Sequence, residues 1–214
     1  ITIDGPAGAG KTTVSKALAA AIGCVYVDTG ALYRGVAYEI QRLNINWKDE
    51  AVLDAFLSAL DLALEPAGQD LKLTASGRDI TGFLRTPDIT MLASKTSAHP
   101  RVREALLDLQ RSIAGKQDAV FEGRDMGTVV FPGATHKFFL SADLEIRAKR
   151  RFDELGDDAS NYASVRAQMQ TRDENDSSRK TAPLKPAPDA VHIDSSSMGI
   201  AEVVDRILHV IKNA

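Results

Sequence analysis

The feature that most restricts how this chain can fold is a glycine-rich run between a short apolar strand and a helix. The run reads Gly5-Pro6-Ala7-Gly8-Ala9-Gly10-Lys11-Thr12 and matches G-x-x-x-x-G-K-[ST] at every required position. Residues 1–3 predict the end of a buried strand before it. The alanine- and leucine-rich segment Lys11–Ile22 predicts a helix after it that ends at Gly23.

The same run predicts a site for a nucleoside triphosphate. Glycines let successive backbone N–H groups point at phosphate oxygens, and the dipole of the following helix adds positive potential. Lys11 supplies a point charge for the β- and γ-phosphates, Thr12 is the candidate ligand for Mg²⁺, and Thr13 belongs to the same predicted ATP-binding set. The alternative is a glycine turn that only joins a strand to a helix. Both the complete motif and its place between a strand and a helix argue against this alternative.

The rest of the chain predicts a parallel sheet wrapped by helices, because apolar runs alternate with segments of helical periodicity. Strands are expected at 1–3, 24–28, 119–122, 137–140 and Val191–Asp194. Helices are expected at Lys11–Ile22, 29–43, 49–60, 143–155 and 162–172. Three more helices are expected, one from Pro87, one after Pro100 and one along an apolar stripe from Ile200 to Ile211. Residues 61–86 break the series with two glycine turns around an alternating segment, which predicts a small inserted β-meander.

Composition excludes several classes of protein. The chain has 214 residues, 44% of them hydrophobic and 26% charged, so it is not collagen-like or disordered. Its single cysteine, Cys24, allows no internal disulfide and is expected to be a core residue of the second strand. The net charge of −3 argues against nucleic-acid polymers and anionic membranes as partners. We expect a cytoplasmic protein with a few residues preceding Ile1.

The glycine-rich run does not by itself distinguish an ATPase, a GTPase and a small-molecule kinase. The guanine motif N-K-x-D is absent, and Glu122 is the nearest approach to the acidic strand end of an ATPase. A kinase needs a second anion site, and arginine suits it because its planar guanidinium grips phosphate in two places. Arg34, Arg103 and Arg124 stand near the starts of predicted elements. Each alone is typical of an exposed surface residue, but together they favour an anion pocket.

Residues 147–180 carry eight basic and seven acidic side chains. The near balance is typical of two solvated helices joined by salt bridges. The alternative is a lid whose arginines close over a transferring phosphoryl group, which needs only two or three of these residues.

Three segments resemble the bacterial cytidylate kinase family. Residues 28–34 (D-T-G-A-L-Y-R) resemble its D-[ST]-G-x-x-Y-R segment, and 100–103 (P-R-V-R) its P-x-V-R element. Residues 123–132 resemble its run G-R-D-M/I-G-T-V-V-x-P, and the likeness covers essentially the whole chain in one register. The resemblance implies a P-loop kinase with a five-stranded parallel core, an inserted antiparallel β subdomain and a helical lid.

The resemblance also implies an activity and roles for single residues. Such enzymes transfer the γ-phosphoryl group of ATP to CMP or dCMP with Mg²⁺, in pyrimidine nucleotide metabolism. Matching positions imply that Lys11, Arg124, Arg172 and Arg179 neutralise charge during transfer. The positions implied for the acceptor nucleotide are Thr29, Tyr33, Arg34, Ser94, Arg103, Arg124, Asp125, Asp176 and Arg179. Among them, Ser94, Arg103 and Asp125 match contacts to the cytosine edge, and Asp176 matches a ribose contact.

The expected organisation is one kinase domain over residues 1–214. Its core comprises 1–28, 104–146 and 181–214, its monophosphate-binding part 29–103, and its lid about 147–180. Ser177 and Ser178 depart from the family pattern, which often has a basic residue and an asparagine there. A kinase for another acceptor, such as UMP, and a slowly hydrolysing nucleotide switch are the alternatives, and a monomer is expected.

Overall fold

The computed structural model describes residues 1–67, 70–115, 117–156 and 161–213. The chain divides into two compact units, one formed by Ile1–Cys24 with Ala119–Ala214 and the other by Val25–Asp118. No helix within the four described ranges is both long and apolar enough to cross a membrane.

Strands and helices alternate along most of the chain, as the sequence predicts. The strands are β1 (Thr2–Asp4), β2 (Val25–Asp28), β3 (Leu62–Ala67), β4 (Asp70–Ala75), β5 (Arg78–Asp79), β6 (Ala119–Gly123), β7 (Lys137–Ser141) and β8 (Val191–Asp194). The helices are α1 (Lys11–Ile22), α2 (Thr29–Arg42), α3 (Glu50–Ala59), α4 (Pro87–Thr96), α5 (Pro100–Ala114), α6 (Leu144–Leu155), α7 (Tyr162–Ser178) and α8 (Ile200–Asn213). A 3₁₀ turn at Thr81–Phe83 and a π-helical turn at Met126–Val130 complete the described elements.

The core sheet has five strands in the order β2-β6-β1-β7-β8 and confirms the predicted α/β fold. The pairs β1–β6, β1–β7 and β7–β8 are parallel, with Ile3 opposite both Glu122 and Phe138. Every residue of β1 and β6 is buried, and this explains why these central strands do not alternate between apolar and polar residues. Because the strands are parallel, the loops after β1 and β6 leave from the same edge of the sheet.

The predicted β-meander is confirmed as a three-stranded antiparallel sheet in the order β3-β4-β5. Leu64 pairs with Leu73, and Leu73 is buried in an apolar cluster with Leu32 and Val36 of α2. The turn expected at Gly68 lies outside the described residues. The insert therefore covers one face of α2.

Local signals set most helix boundaries. Helix α1 ends as predicted at Gly23, whose φ of +70° and N–H bond to Ala19 are typical of a glycine stop. Asp28 caps α2 by accepting the N–H of Ala31, at 3.1 Å. The expected end of α7 at residue 172 is wrong, because the helix continues to Ser178. No glycine or proline interrupts residues 172–178, so nothing local stops the helix there.

One expectation about a buried residue is wrong, and two apolar residues at helix ends are exposed. Cys24 is partly exposed and precedes β2, and its N–H bonds back to the carbonyl of Ala19 in the turn that follows α1. Leu43 follows the last residue of α2 and is 47% exposed, and Ile200 begins α8 and is 51% exposed. The apolar stripes of both helices are buried at their centres and exposed at these ends.

Candidate functional site: a phosphate loop and a cluster of cations

The glycine-rich run forms the turn from β1 into α1, and its glycines are required by space as well as by conformation. A Cβ at Gly5 would lie 1.9 Å from the carbonyl oxygen of Leu140, and one at Gly8 would lie 2.7 Å from Cε of Met169. Gly8 and Gly10 have φ of +73° and +88°, which disfavour other residues. The remaining residues of the predicted set lie where expected: Pro6, Ala7 and Ala9 in the loop and Lys11, Thr12 and Thr13 in the first turn of α1.

Lys11 is buried at the start of α1, where its Nζ donates to the carbonyl of Pro6 at 2.7 Å. Burial lowers the pKa of Lys11 to about 7, and the positive charges of Arg124 and Arg172 act in the same direction. The carboxylates of Glu122 and Asp4 oppose this shift. An anion bound in the loop would therefore restore the charge of Lys11.

Thr12 contacts an acid that the sequence analysis left outside the predicted site. Its hydroxyl donates to Oε1 of Glu122 at 2.8 Å, and Glu122 is buried at the end of β6. A hydroxyl and a carboxylate oxygen side by side at a phosphate loop are oxygen donors of the kind that Mg²⁺ prefers. The residues present thus fit a magnesium ion bound together with nucleotide phosphates.

Asp4 holds the backbone that follows β6. Its two carboxylate oxygens accept the N–H groups of Met126 and Gly127, both at 2.8 Å. Burial raises the pKa of Asp4 to about 6, although these two N–H bonds oppose the shift. Asp125 stands at the cap position of this π-helical turn but makes no cap hydrogen bond with its own side chain, and it is 2% exposed. Asp4 takes over the capping that Asp125 would otherwise supply.

Arg124, Asp176 and Arg179 form one ion cluster. Nε of Arg124 donates to Oδ2 of Asp176 at 2.9 Å, and Nη2 of Arg179 lies 3.2 Å from Oδ1 of the same carboxylate. Burial by itself would raise the pKa of Asp176, but Arg124, Arg179 and Arg172 outweigh it and hold the pKa below its usual value. The carboxylate of Asp176 thus holds Arg124 and Arg179 together.

Arg172 is half-buried on α7, and its charge acts on both Lys11 and Asp176. The four cations assigned to phosphoryl transfer therefore belong to one electrostatic group, within the unit that contains the phosphate loop. Ser177 and Ser178, which depart from the family pattern, are exposed at the end of α7. Residues 157–160 of the expected lid lie outside the described residues.

In the other unit, Asp28 orients Arg34. Oδ2 of Asp28 accepts from Nη2 of Arg34 at 2.6 Å, and Arg85 lies 3.9 Å from the same oxygen. Gly30 makes this pairing possible, since a Cβ there would lie 3.0 Å from both Nη1 of Arg34 and Oδ1 of Asp28. Thr29 directly follows Asp28 in the chain, begins α2 and is buried.

Arg103, Tyr33 and Ser94 belong to the same second unit. The Arg103 guanidinium lies 5.4 Å from the centre of the Tyr33 ring, and its Nη1 donates to the carbonyl of Ser97 at 3.2 Å. Ser94 is buried on α4, one turn before Ser97. Arg103 is thus fixed by an aromatic face and a helix end, which leaves its orientation well defined.

Three further residues of the phosphate-loop unit are not among the predicted site residues. Asp4 and Glu122 share one signal that could have identified them, an acid at the carboxyl end of a buried strand. The third is Arg147, which donates to the carbonyl of Ala7 at 3.1 Å. No local pattern marks Arg147, because it is one of several arginines on α6.

Comparison with known proteins identifies close relatives along the whole chain. A family model described as cytidylate kinase matches residues 1–213. A cytidylate kinase of Fervidobacterium nodosum is 43% identical over 99% of this chain and 95% of its own length. Those of Geobacter sulfurreducens and Pasteurella multocida are 44% and 42% identical over 99% of this chain, and over 92% and 94% of their own lengths.

Proposed function

The chain belongs to the cytidylate kinase family, and from this premise we propose that it phosphorylates CMP and dCMP with Mg-ATP, using the residues described above. The observation that carries the proposal is the group of cations Lys11, Arg124, Arg172 and Arg179 beside a phosphate loop. A nucleotide switch binds one phosphate-bearing ligand and needs no second set of arginines. The group therefore suits an enzyme with two phosphate-bearing substrates better.

The reaction is a direct in-line transfer. An oxygen of the CMP phosphate bonds to the γ-phosphorus of ATP, the bond from that phosphorus to the β–γ bridging oxygen breaks, and CDP and ADP result. The contribution of the protein is positioning and neutralisation of charge. Lys11 serves the donor phosphates, while Arg124 and Arg179 exchange their bonds to Asp176 for bonds to the acceptor phosphate. No covalent intermediate with the protein is required.

Mg²⁺ bound with ATP supplies further neutralisation of phosphate charge. Thr12 and Glu122 are the residues that would hold it, since their oxygens lie 2.8 Å apart at the start of α1. Both side chains are fixed by regular elements, so they orient the donor phosphates before any chemistry occurs.

Selectivity for cytosine is assigned to Asp125, Arg103 and Ser94. Cytosine presents an N4 amino donor that a carboxylate accepts, and O2 and N3 acceptors to which arginine donates. Uracil has O4 in place of the amino group, so the carboxylate of Asp125 would face another acceptor. Burial of Asp125 supports this role because a mismatched polar pair is costly away from water.

Arg34, Thr29 and Tyr33 complete the proposed acceptor set, with Arg34 on the phosphate and the other two lining the nucleotide. Asp176 is assigned to the ribose, which it can contact once Arg124 and Arg179 bind the acceptor phosphate instead of its carboxylate. Preference between CMP and dCMP then depends on this single carboxylate, because the substrates differ only at the 2′ position.

A coupled assay of ADP formation with ATP against CMP, dCMP, UMP and AMP tests the proposal. CMP and dCMP should accelerate ADP formation strongly and saturably, and UMP and AMP weakly. Failure of both cytidine nucleotides would overturn the proposal. ATP hydrolysis that is independent of any acceptor, with no saturable CMP binding, would favour the nucleotide switch.

Two further assignments go with this function. The protein acts in the cytoplasm, where both substrates occur, and it acts as a monomer. Light scattering coupled to size-exclusion chromatography should give a mass of about one chain, 23.0 kDa.

A further inference from the structure

Two arginines one turn apart on α6 are linked to the phosphate loop, Arg147 directly and Arg150 through Ser195. Arg147 is buried, and its Nη1 donates to the carbonyl oxygen of Ala7 at 3.1 Å, while its Nε donates to Ala142 at 2.7 Å. Arg150 donates to both the hydroxyl and the carbonyl of Ser195, at 3.2 and 2.7 Å. The guanidinium groups therefore bind protein carbonyls and a hydroxyl.

Ser195 extends the second of these contacts to the loop. Its buried hydroxyl has one proton, and the carbonyl oxygens of Ala9 and Ser141, each 3.1 Å away, share it. Together, Arg147 and Ser195 place a donor on two alternate carbonyls of the phosphate loop, both from the side of α6 and β8.

A held carbonyl also fixes the direction of the next amide. In a planar trans peptide the C=O and the N–H point in opposite directions. Holding the oxygen of Ala7 towards α6 directs the N–H of Gly8 to the other side of the loop, and holding that of Ala9 does the same for Gly10. Inward N–H groups of this kind are what a loop needs in order to bind phosphate oxygens.

The loop is also packed against the two helices that supply these contacts. Ala7 lies against the apolar cluster of Ala148, Val165 and Met169, which joins α6 and α7. A Cβ on Gly8 would lie 3.1 Å from Cβ of Arg147, so the loop backbone lies close against α6 at this point. The peptide between Ala7 and Gly8 is therefore both hydrogen-bonded to α6 and close to it.

Arg147 also has a partner on α7. Its Nη1 donates to Oδ2 of Asp173 at 2.6 Å, with side chains only 8% and 21% exposed. Asp173 directly follows Arg172, one of the cations assigned to phosphoryl transfer. One buried guanidinium thus connects the backbone of the phosphate loop to the helix that carries Arg172 and Asp176.

We propose that Arg147 is a positioning residue for ATP: it holds the Ala7 carbonyl outward so that the Gly8 amide faces the phosphates, and it ties this peptide to α7 through Asp173. Ser195 acts in the same way on Ala9 and the Gly10 amide. The inference rests on ATP binding at the phosphate loop and requires no particular acceptor.

The test measures ATP binding without CMP, by calorimetry, and the ¹⁵N–¹H shifts of Gly8 and Gly10 by NMR. In the unmodified protein, ATP should move both amide signals downfield as phosphate bonds form. Arg147→Lys should weaken ATP binding about tenfold, as expected for loss of one charge-assisted hydrogen bond, and should reduce the Gly8 shift. Ser195→Ala should reduce the Gly10 shift and leave that of Gly8 unchanged.

Two variants separate positioning from general damage. Arg166→Lys alters an exposed arginine of α7 that also pairs with α6, through Glu145, and should leave ATP binding and both shifts unchanged. Asp173→Asn keeps the bond from Arg147 to Ala7 and should preserve the Gly8 shift while lowering kcat. Thermal unfolding with circular dichroism verifies that each variant is folded.

A folded Arg147→Lys variant with unchanged ATP affinity and an unchanged Gly8 shift would overturn the inference. Arg147→Lys and Ser195→Ala variants that each changed the Gly8 and Gly10 shifts equally would overturn it as well. Loss of ATP binding in the unmodified protein would instead contradict the proposed function. Normal transfer to CMP with no effect of Arg147→Lys contradicts the positioning role alone.

Discussion

Lys11 shows how burial adjusts one side chain to an anionic ligand. In the free protein its pKa is about 7, because burial and the charges of Arg124 and Arg172 disfavour the ammonium form. The phosphates of ATP would reverse that balance and raise the pKa. Binding of ATP should then take up a proton, and its affinity should fall as pH rises above 7.

Calorimetry at pH 8, in buffers of different ionisation enthalpy, measures this proton uptake. The apparent binding enthalpy should depend on the buffer for the unmodified protein. Lys11→Ala should abolish the dependence, weaken ATP binding and remove most turnover. Buffer-independent enthalpies for the unmodified protein would contradict the shifted pKa.

Asp125 carries the proposed preference for cytosine over uracil. Asp125→Ala should lower the ratio of kcat/KM for CMP to that for UMP by about tenfold or more, since one base-edge contact contributes roughly 1–3 kcal/mol to discrimination. Steady-state kinetics with both acceptors measures the ratio. Asp108→Ala, which alters an exposed carboxylate of α5, is the control and should leave the ratio unchanged. Full discrimination in the Asp125 variant would show that the base-edge assignment is wrong.

At the scale of elements, helix α7 supplies the carboxylate that keeps the arginines in place. Asp176→Asn should destabilise the protein by about 3–5 kcal/mol, because it leaves buried positive charges without their partner. Inorganic phosphate should then raise the melting temperature of the variant more than that of the unmodified protein, since the anion replaces the lost charge. Equal stabilisation of both proteins by phosphate would contradict this role of Asp176.

The β-insert packs closely against α2 at Gly35. A Cβ on Gly35 would lie 2.5 Å from Cδ2 of Leu73, so Gly35→Ala should destabilise the protein by about 1–3 kcal/mol through overpacking. Leu73→Ala should cost about 2–5 kcal/mol by leaving a cavity. The double variant should lose less than the sum, because the new methyl group enters the space that Leu73 vacates. Urea unfolding of all four proteins measures the coupling, and additive losses would contradict the packing argument.

At the scale of the whole molecule, a negative net charge does not prevent cations from clustering at one site. The chain carries −3 overall, yet Lys11, Arg124, Arg172 and Arg179 share one site. A single nucleotide needs only these few cations, whereas a polymer needs a long basic surface. A labelled single-stranded RNA at physiological salt should therefore show no binding by fluorescence anisotropy. Salt-sensitive RNA binding at micromolar protein would contradict this view of the surface.

Much of the fold could be predicted because its signals are local. Glycine turns, proline starts and capping residues set α1, α2, α4 and α5 close to their expected bounds. The end of α7 could not be predicted, because no stop signal lies at residue 172 and the helix continues past it. The exposure of Cys24 could not be predicted either, because it depends on a single backbone hydrogen bond. The π-helical turn at Met126–Val130 has no periodic signature at all and depends on Asp4.

The sequence by itself determined the phosphate loop and the order of strands and helices, because the spacing of glycine, lysine and threonine encodes a backbone shape directly. It also supplied the candidate arginines. Only the tertiary structure decided which of them contact one another. Arg124 and Arg179 meet on Asp176, while Arg147 donates to the carbonyl of Ala7 in the phosphate loop. These pairings join residues far apart in the chain, and their partners are selected by burial and distance, which no local pattern records.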